Sequence, residues 1–154
     1  MAERTAVYEV CVRRTIAAPA QEVFNAWLDA DVLAQWMKTR AFTHVTTTCD
    51  AREGGAFEIV MHAPAEVVRH TGRYITIDRP SKLIFTWCSP STEHNASLVT
   101  VEFFTRGEST EIVVTHRQLP SDASRSHEEG WNDVLKLLAD LFQAGVLDSP
   151  RIPS

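Results

Sequence analysis

Residues 121–142, SDASRSHEEGWNDVLKLLADLF, decide the architecture of this chain. Trp131, Val134, Leu135, Leu138, Leu141 and Phe142 recur at spacings of three and four, which draws one apolar stripe along an α-helix. Asn132, Asp133, Lys136 and Asp140 fill the opposite face. Ser121 follows Pro120 and is placed to cap the first turn, where Asp122 also suits the positive end of the helix dipole. Gly145 stands just past the last apolar residue, where helices commonly stop. Such a helix is wet on one side and needs a broad apolar partner on the other. The residues before it supply that partner.

Those residues read mostly with a period of two. Residues 5–16 alternate, with Val7, Glu9, Cys11 and Arg13 on one side and Tyr8, Val10 and Val12 on the other, as in a long strand with a buried face. Ala17-Ala18-Pro19 ends it, and Pro19 is well placed to open a helix. Val23, Phe24, Trp27 and Leu28 then predict a short amphipathic helix, and residues 31–36 a second. From Thr43 onward the pattern predicts strands over 45–49, 57–62, 67–77, 83–88, 97–105 and 110–117. Gly54-Gly55 is expected to supply positive φ for one hairpin, and Arg106-Gly107-Glu108 to turn the last. Gly72, inside a strand, suggests a bulge or a strong bend. No repeat, linker or low-complexity segment interrupts the order, so a single domain is expected over 1–146, with a loose tail over 147–154.

The chain has 154 residues with 44% hydrophobic and 23% charged content, ordinary values for one soluble domain. Its formal charge is −5 and its 15 Lys and Arg are scattered, which argues against a nucleic-acid partner. No apolar run approaches the ~20 residues of a membrane span, and no leader sequence is apparent. Cys11, Cys49 and Cys88 are widely spaced. An odd number without close spacing reads as reduced, buried thiols in a cytoplasmic protein.

A curved antiparallel sheet of about six to seven strands must hide one face, and wrapping it around the long C-terminal helix is the economical way to do so. The expected class is α+β, with two short helices after the first strand. With that order in place, the chain resembles the START-like (SRPBCC, birch-pollen-allergen-like) superfamily and its helix-grip fold. Within it, the chain is most similar to the family named for the activator of heat-shock protein 90 ATPase, in its small single-domain bacterial form. The residues that carry the resemblance are 19–27 (PAQEVFNAW), Leu33-Ala34-Gln35-Trp36, Gly54-Gly55 with Phe57, Gly72 with Tyr74, and 83–87 (LIFTW). Further matches are Thr115-His116, Leu119-Pro120, and His127 with Gly130-Trp131. One departure lies between Met61 and Gly72, where the family usually has a Gly- or Asp-rich hairpin and this chain has His62, Pro64, Arg69 and His70. The resemblance implies no shared catalytic residues. It implies a domain that holds apolar molecules, with a chaperone partner as the alternative and a polyketide-cyclase-like enzyme as a third reading.

The residues themselves point the same way. Trp36, Phe42, Phe57, Tyr74, Phe85, Trp87, Phe103 and Trp131 are expected to line one interior, with Met37 and Met61 as adaptable fillers and Val101 and Leu135 as aliphatic walls. An entrance is expected near Trp36, Met37 and Phe42, where short helices and a loop move more easily than a sheet. His116, at the end of the last strand, and His127, four residues before Trp131, are expected to meet inside, with rings within ~8 Å. They read as structural groups, and with Tyr74 they are the only candidates for chemistry. His62 and His70 are placed to face one another across a hairpin, but His44, His62, His70 and His94 form no metal-ligand spacing. Glu58 and Glu102 read as solvated. No cofactor motif appears. The expected partner is a small apolar ligand, and a homodimer is compatible with the sequence.

Overall fold

The computed structural model describes residues 7–92, 95–120 and 124–143. In chain order the elements are β1 (Val7–Ile16), α1 (Ala20–Asn25), α2 (Ala30–Trp36), β2 (His44–Cys49), β3 (Ala56–Ala63), β4 (Glu66–Asp78), β5 (Lys82–Trp87), β6 (Ser97–Arg106), β7 (Ser109–Pro120) and α3 (Ser124–Gln143). A single 3₁₀ turn, Pro90–Thr92, follows β5. The strands form one antiparallel sheet in the order β1-β7-β6-β5-β4-β3-β2. This is the α+β helix-grip arrangement expected from the sequence. The Ser121 cap, Asp122, His94, Gly145 and the 147–154 tail lie outside the described residues.

Alternation sorts each strand onto two faces. In β1, Val10, Val12 and Ile16 are buried while Glu9, Cys11 and Arg13 are exposed. The same inward face carries Phe57, Ile59 and Met61 of β3, Leu83, Phe85 and Trp87 of β5, Val99, Val101 and Phe103 of β6, and Ile112, Val114 and His116 of β7. Trp131, Val134, Leu135, Leu138 and Phe142 of α3 close over them. Leu141 is half-buried at the margin of the stripe. Glu58 and Glu102 are partly exposed, and Glu58 pairs with Arg69 at 2.7 Å.

Asp29 caps α2, its Oδ1 accepting the backbone N–H groups of Asp31 and Val32 at 3.0 and 3.2 Å. The glycines behave differently from expectation. At the first hairpin only Gly54 takes a positive φ, +86°; Gly55 is needed because a Cβ there would lie 2.0 Å from the Asp50 carbonyl oxygen. Gly72 is not the bulge. A Cβ there would meet the Thr86 carbonyl oxygen at 2.0 Å and the Phe57 ring at 2.4 Å, so it permits a close approach inside the sheet. The register of β4 against β5 shifts instead between Tyr74 and Thr76. The cysteines are unpaired, but Cys11 is exposed and Cys49 and Cys88 only half-buried. The expectation of three buried thiols fails because Cys11 falls on the outward parity of β1.

The helix sits off-centre on the sheet. It packs chiefly on β1, with lesser contacts to β7 and α2, while α2 covers β2. The β3 and β4 half therefore has less of the helix above it. That asymmetry positions the site.

Candidate functional site

Between the first half of α3, the residues that follow α2, and the inward faces of β3, β4 and β5 lies a cavity of about 270 Å³. Met37, Phe42, Met61, Val68, Trp87, Trp131 and Val134 form its apolar walls. Thr39, His70, Ser126 and His127 add polar groups, Gly130 lies in the wall, and Glu66, which is exposed, is also in the lining. The loop after α2 is tied to the helix by Arg40. Its backbone N–H and guanidinium donate to the Asp133 carboxylate at 2.7–3.2 Å. Hydrogen bonds from Arg40 hold the Asp133 carboxyl below the usual carboxylate range.

Six of the residues expected to contact a ligand meet here: Met37, Phe42, Met61, Trp87, His127 and Trp131. The other eight are elsewhere. Trp36 is fully buried, its Nε1 donating to the Ala26 carbonyl at 3.2 Å, and it does not line the cavity. Val101, Phe103 and Leu135 are core residues. Phe57, Tyr74 and Phe85 border a separate void of about 10 Å³ with Trp27, Leu33, Ile59, Met37 and Trp87. Trp27 Nε1 is buried there without a hydrogen-bond partner among the described residues. Burial, with Cys49 nearby, raises the Tyr74 hydroxyl well above its ordinary range, so it stays protonated at neutral pH.

His116 is sealed. The Trp131 Nε1–H donates to His116 Nδ1 at 3.0 Å, so the proton must sit on Nε2. Nε2 then donates to Ser97 Oγ at 2.7 Å, and Ser97 Oγ donates to the Trp87 carbonyl at 2.7 Å. Both ring nitrogens are committed. Burial, helped by His127, pushes the His116 pKa down to about 3. The rings of His116 and His127 stand 4.9 Å apart, edge to face, within the expected distance. A neutral imidazole with both nitrogens engaged is a structural strut, and it ties the helix to β5, β6 and β7.

His70 and His62 do not share a site. His62 lies opposite Val67 in the β3–β4 hairpin and stacks on His44, with ring centroids 4.2 Å apart. His70 lies opposite Ile59 and is buried against Trp87, with centroids 5.0 Å apart. Its Nδ1 donates to the Ile59 carbonyl at 3.2 Å. Burial lowers the His70 pKa to about 4, the bond to Ile59 opposing and the nearby His127 adding. No group of three or more metal-ligating side chains occurs among the described residues. The lining residues the sequence reading passed over are Thr39, Glu66, Val68, His70, Ser126, Gly130 and Val134. For β4 a signal existed: Glu66, Val68, His70 and Gly72 share parity with inward-facing Tyr74.

A family model described as Activator of Hsp90 ATPase homolog 1-like protein matches residues 17–143. No curated protein matches the sequence significantly. Among solved structures, a protein from Chromobacterium violaceum superposes with a TM-score of 0.76 at 23% identity, covering 86% of this chain and 95% of that one. A protein from Rhizobium leguminosarum gives 0.75 at 22%, covering 90% and 96%. One from Nitrosomonas europaea gives 0.74 at 18%, covering 90% and 96%. At these identities the likeness establishes the fold. No described helix is long and apolar enough to cross a membrane.

Proposed function

The chain belongs to the Activator of Hsp90 ATPase homolog 1-like family, and from that premise we propose that it binds a small, mainly apolar molecule in the cavity beside Trp87 and Trp131. The observation that carries this reading is the cavity itself. About 270 Å³ stays open between helix and sheet, and its apolar walls are two tryptophans, a phenylalanine, two methionines and two valines. An engineered cavity of about 150 Å³ holds benzene, so this one has room for about one or two rings. Methionines suit a site that adjusts to its occupant.

Burying about 250 Å² of apolar ligand surface at ~25 cal/mol/Å² contributes about 6 kcal/mol, which is set against the translational and rotational freedom lost on association, so a simple aromatic probe binds weakly. A natural ligand that also satisfies the polar groups binds tighter. No catalytic step is assigned, because His116 has no free nitrogen and Tyr74 holds its proton. We place this single domain, residues 1–146, in a reducing cytoplasm, where three unpaired cysteines are stable.

The test is titration with a neutral fluorescent naphthylamine, comparing the native chain with Val68→Trp. Val68 is half-buried and lines the cavity, so an indole there fills the space without entering the packed core. Val101→Trp would not serve, since Val101 is fully enclosed by core residues. One-site binding that is lost in Val68→Trp supports the reading. Equal binding by both proteins, or none by the native chain, makes the chaperone-contacting role of the family the better one.

A further inference from the structure

His70 is the one histidine buried in the cavity wall, and its two nitrogens differ in what they can do. Nδ1 faces a backbone carbonyl, that of Ile59, at 3.2 Å, and a carbonyl only accepts. The neutral ring therefore carries its proton on Nδ1 and leaves a lone pair on Nε2. No hydrogen bond among the described residues engages Nε2. The residue is 9% exposed, lines the cavity and lies against Trp87. Among the described residues the buried side-chain atoms left without a partner are Trp27 Nε1 and Ser89 Oγ; Nε2 of His70 is not one of them, so it keeps accessible surface in the cavity wall. His116 differs: as a support it has both nitrogens filled by neighbouring side chains.

Resting on the cavity reading above, we propose that the natural occupant is a neutral one- or two-ring molecule whose hydroxyl or N–H group donates a hydrogen bond to Nε2 of His70. The cavity's other features narrow the class. Its walls are aromatic and thioether groups, which favour a flat apolar body. A carboxylate ligand would meet an uncharged imidazole at His70 and the like charge of Glu66. A cationic ligand would suffer the burial that already keeps His70 uncharged. His127 and Ser126, on α3 across the cavity, and Thr39 complete the polar lining. What remains is an uncharged donor on a ring system, and about 270 Å³ limits that system to about two rings.

The experiment compares β-naphthol with its methyl ether, two probes of similar shape of which only the first can donate. Calorimetric titrations are run on the native chain and on His70→Asn. Asparagine retains a side-chain N–H near the Nδ1 position for the Ile59 carbonyl and removes the Nε2 acceptor. The expected result is that the native chain prefers β-naphthol roughly tenfold, and that His70→Asn binds both within about twofold. Equal binding of the two probes by the native chain overturns the assignment to His70 while leaving the cavity reading standing. A preference that survives in His70→Asn also overturns it, since another acceptor is then responsible. Failure of the native chain to bind either probe overturns both readings. If His70→Asn does not fold, nitrogen NMR of the native chain decides. The His70 Nε2 resonance should move with β-naphthol and not with the ether, and an unmoved resonance at saturation overturns the proposal.

Discussion

His116 and His70 both lie on the inward face of one sheet, both lose proton affinity through burial, and both stand within 7 Å of a Trp87 ring, at 6.3 and 5.0 Å. Their surroundings differ because α3 lies off-centre. On the side of β1 the helix packs most closely, and Leu135, Leu138, Ile112, Val114 and Phe103 belong to one buried cluster. There the histidine is bonded through both nitrogens. On the side of β3 and β4 the helix stands away, the cavity opens, and the histidine keeps one nitrogen unengaged. Burial alone does not separate a strut from a binding group. The count of satisfied hydrogen-bonding positions does.

Trp131 stands on the border between these two ends, and its removal should have the largest effect. It stacks on Trp27 at 6.1 Å, approaches Trp87 at 5.5 Å and holds His116 through its N–H. Trp131→Ala should lower stability by ~3–5 kcal/mol, read from denaturant unfolding. A small shift of the midpoint with an unchanged slope would show that the closed end does not depend on it. The two histidines should then separate. His116→Leu strands the Trp131 N–H and the Ser97 hydroxyl and should cost about 2–4 kcal/mol, while His70→Asn should cost about 1 kcal/mol or less because its bond to Ile59 has a replacement. Equal costs would erase the distinction between the two ends.

Acid should weaken the fold through both rings. Their native pKa values, about 3 for His116 and about 4 for His70, lie below the ordinary value of about 6.5 in the unfolded chain. Below pH ~6.5 the unfolded chain therefore binds more protons than the native one. The stability these groups contribute is complete above that pH and falls as pH drops toward about 4 for His70 and about 3 for His116, by up to ~1.4 kcal/mol per pH unit for each ring. His116→Gln should remove about half of that slope between pH 6 and pH 5. A stability profile that is flat in this window would show that neither ring is buried neutral.

The sequence made the sheet legible because a period of two states which side of a strand faces in. It made the helix legible because the stripe from Trp131 to Phe142 has a single reading. The cavity was only half legible. Alternation marks Phe57, Phe85, Val101 and Phe103 as inward, and they are, but it does not say how far along the sheet the helix sits. That depends on how side chains such as Leu135 and Leu138 settle against β1, a packing result with no sequence period. His70 was read as a hairpin partner of His62 because its parity was not carried back from Tyr74 through Gly72. His116 could be placed near His127 by chain order, whereas its bonds to Trp131 and Ser97 join residues with no sequence pattern in common.

The most direct test of the contrast between a closed and an open end is a crystal structure of the native chain soaked with β-naphthol. The expected result is one molecule in the cavity against Trp87 and Trp131, its hydroxyl within hydrogen-bond distance of His70 Nε2, with Phe103, Val101 and Leu135 unmoved. A fully ordered protein whose cavity stays empty at saturating probe, or a probe bound only on the outer surface, would contradict the claim that the open end is a binding site.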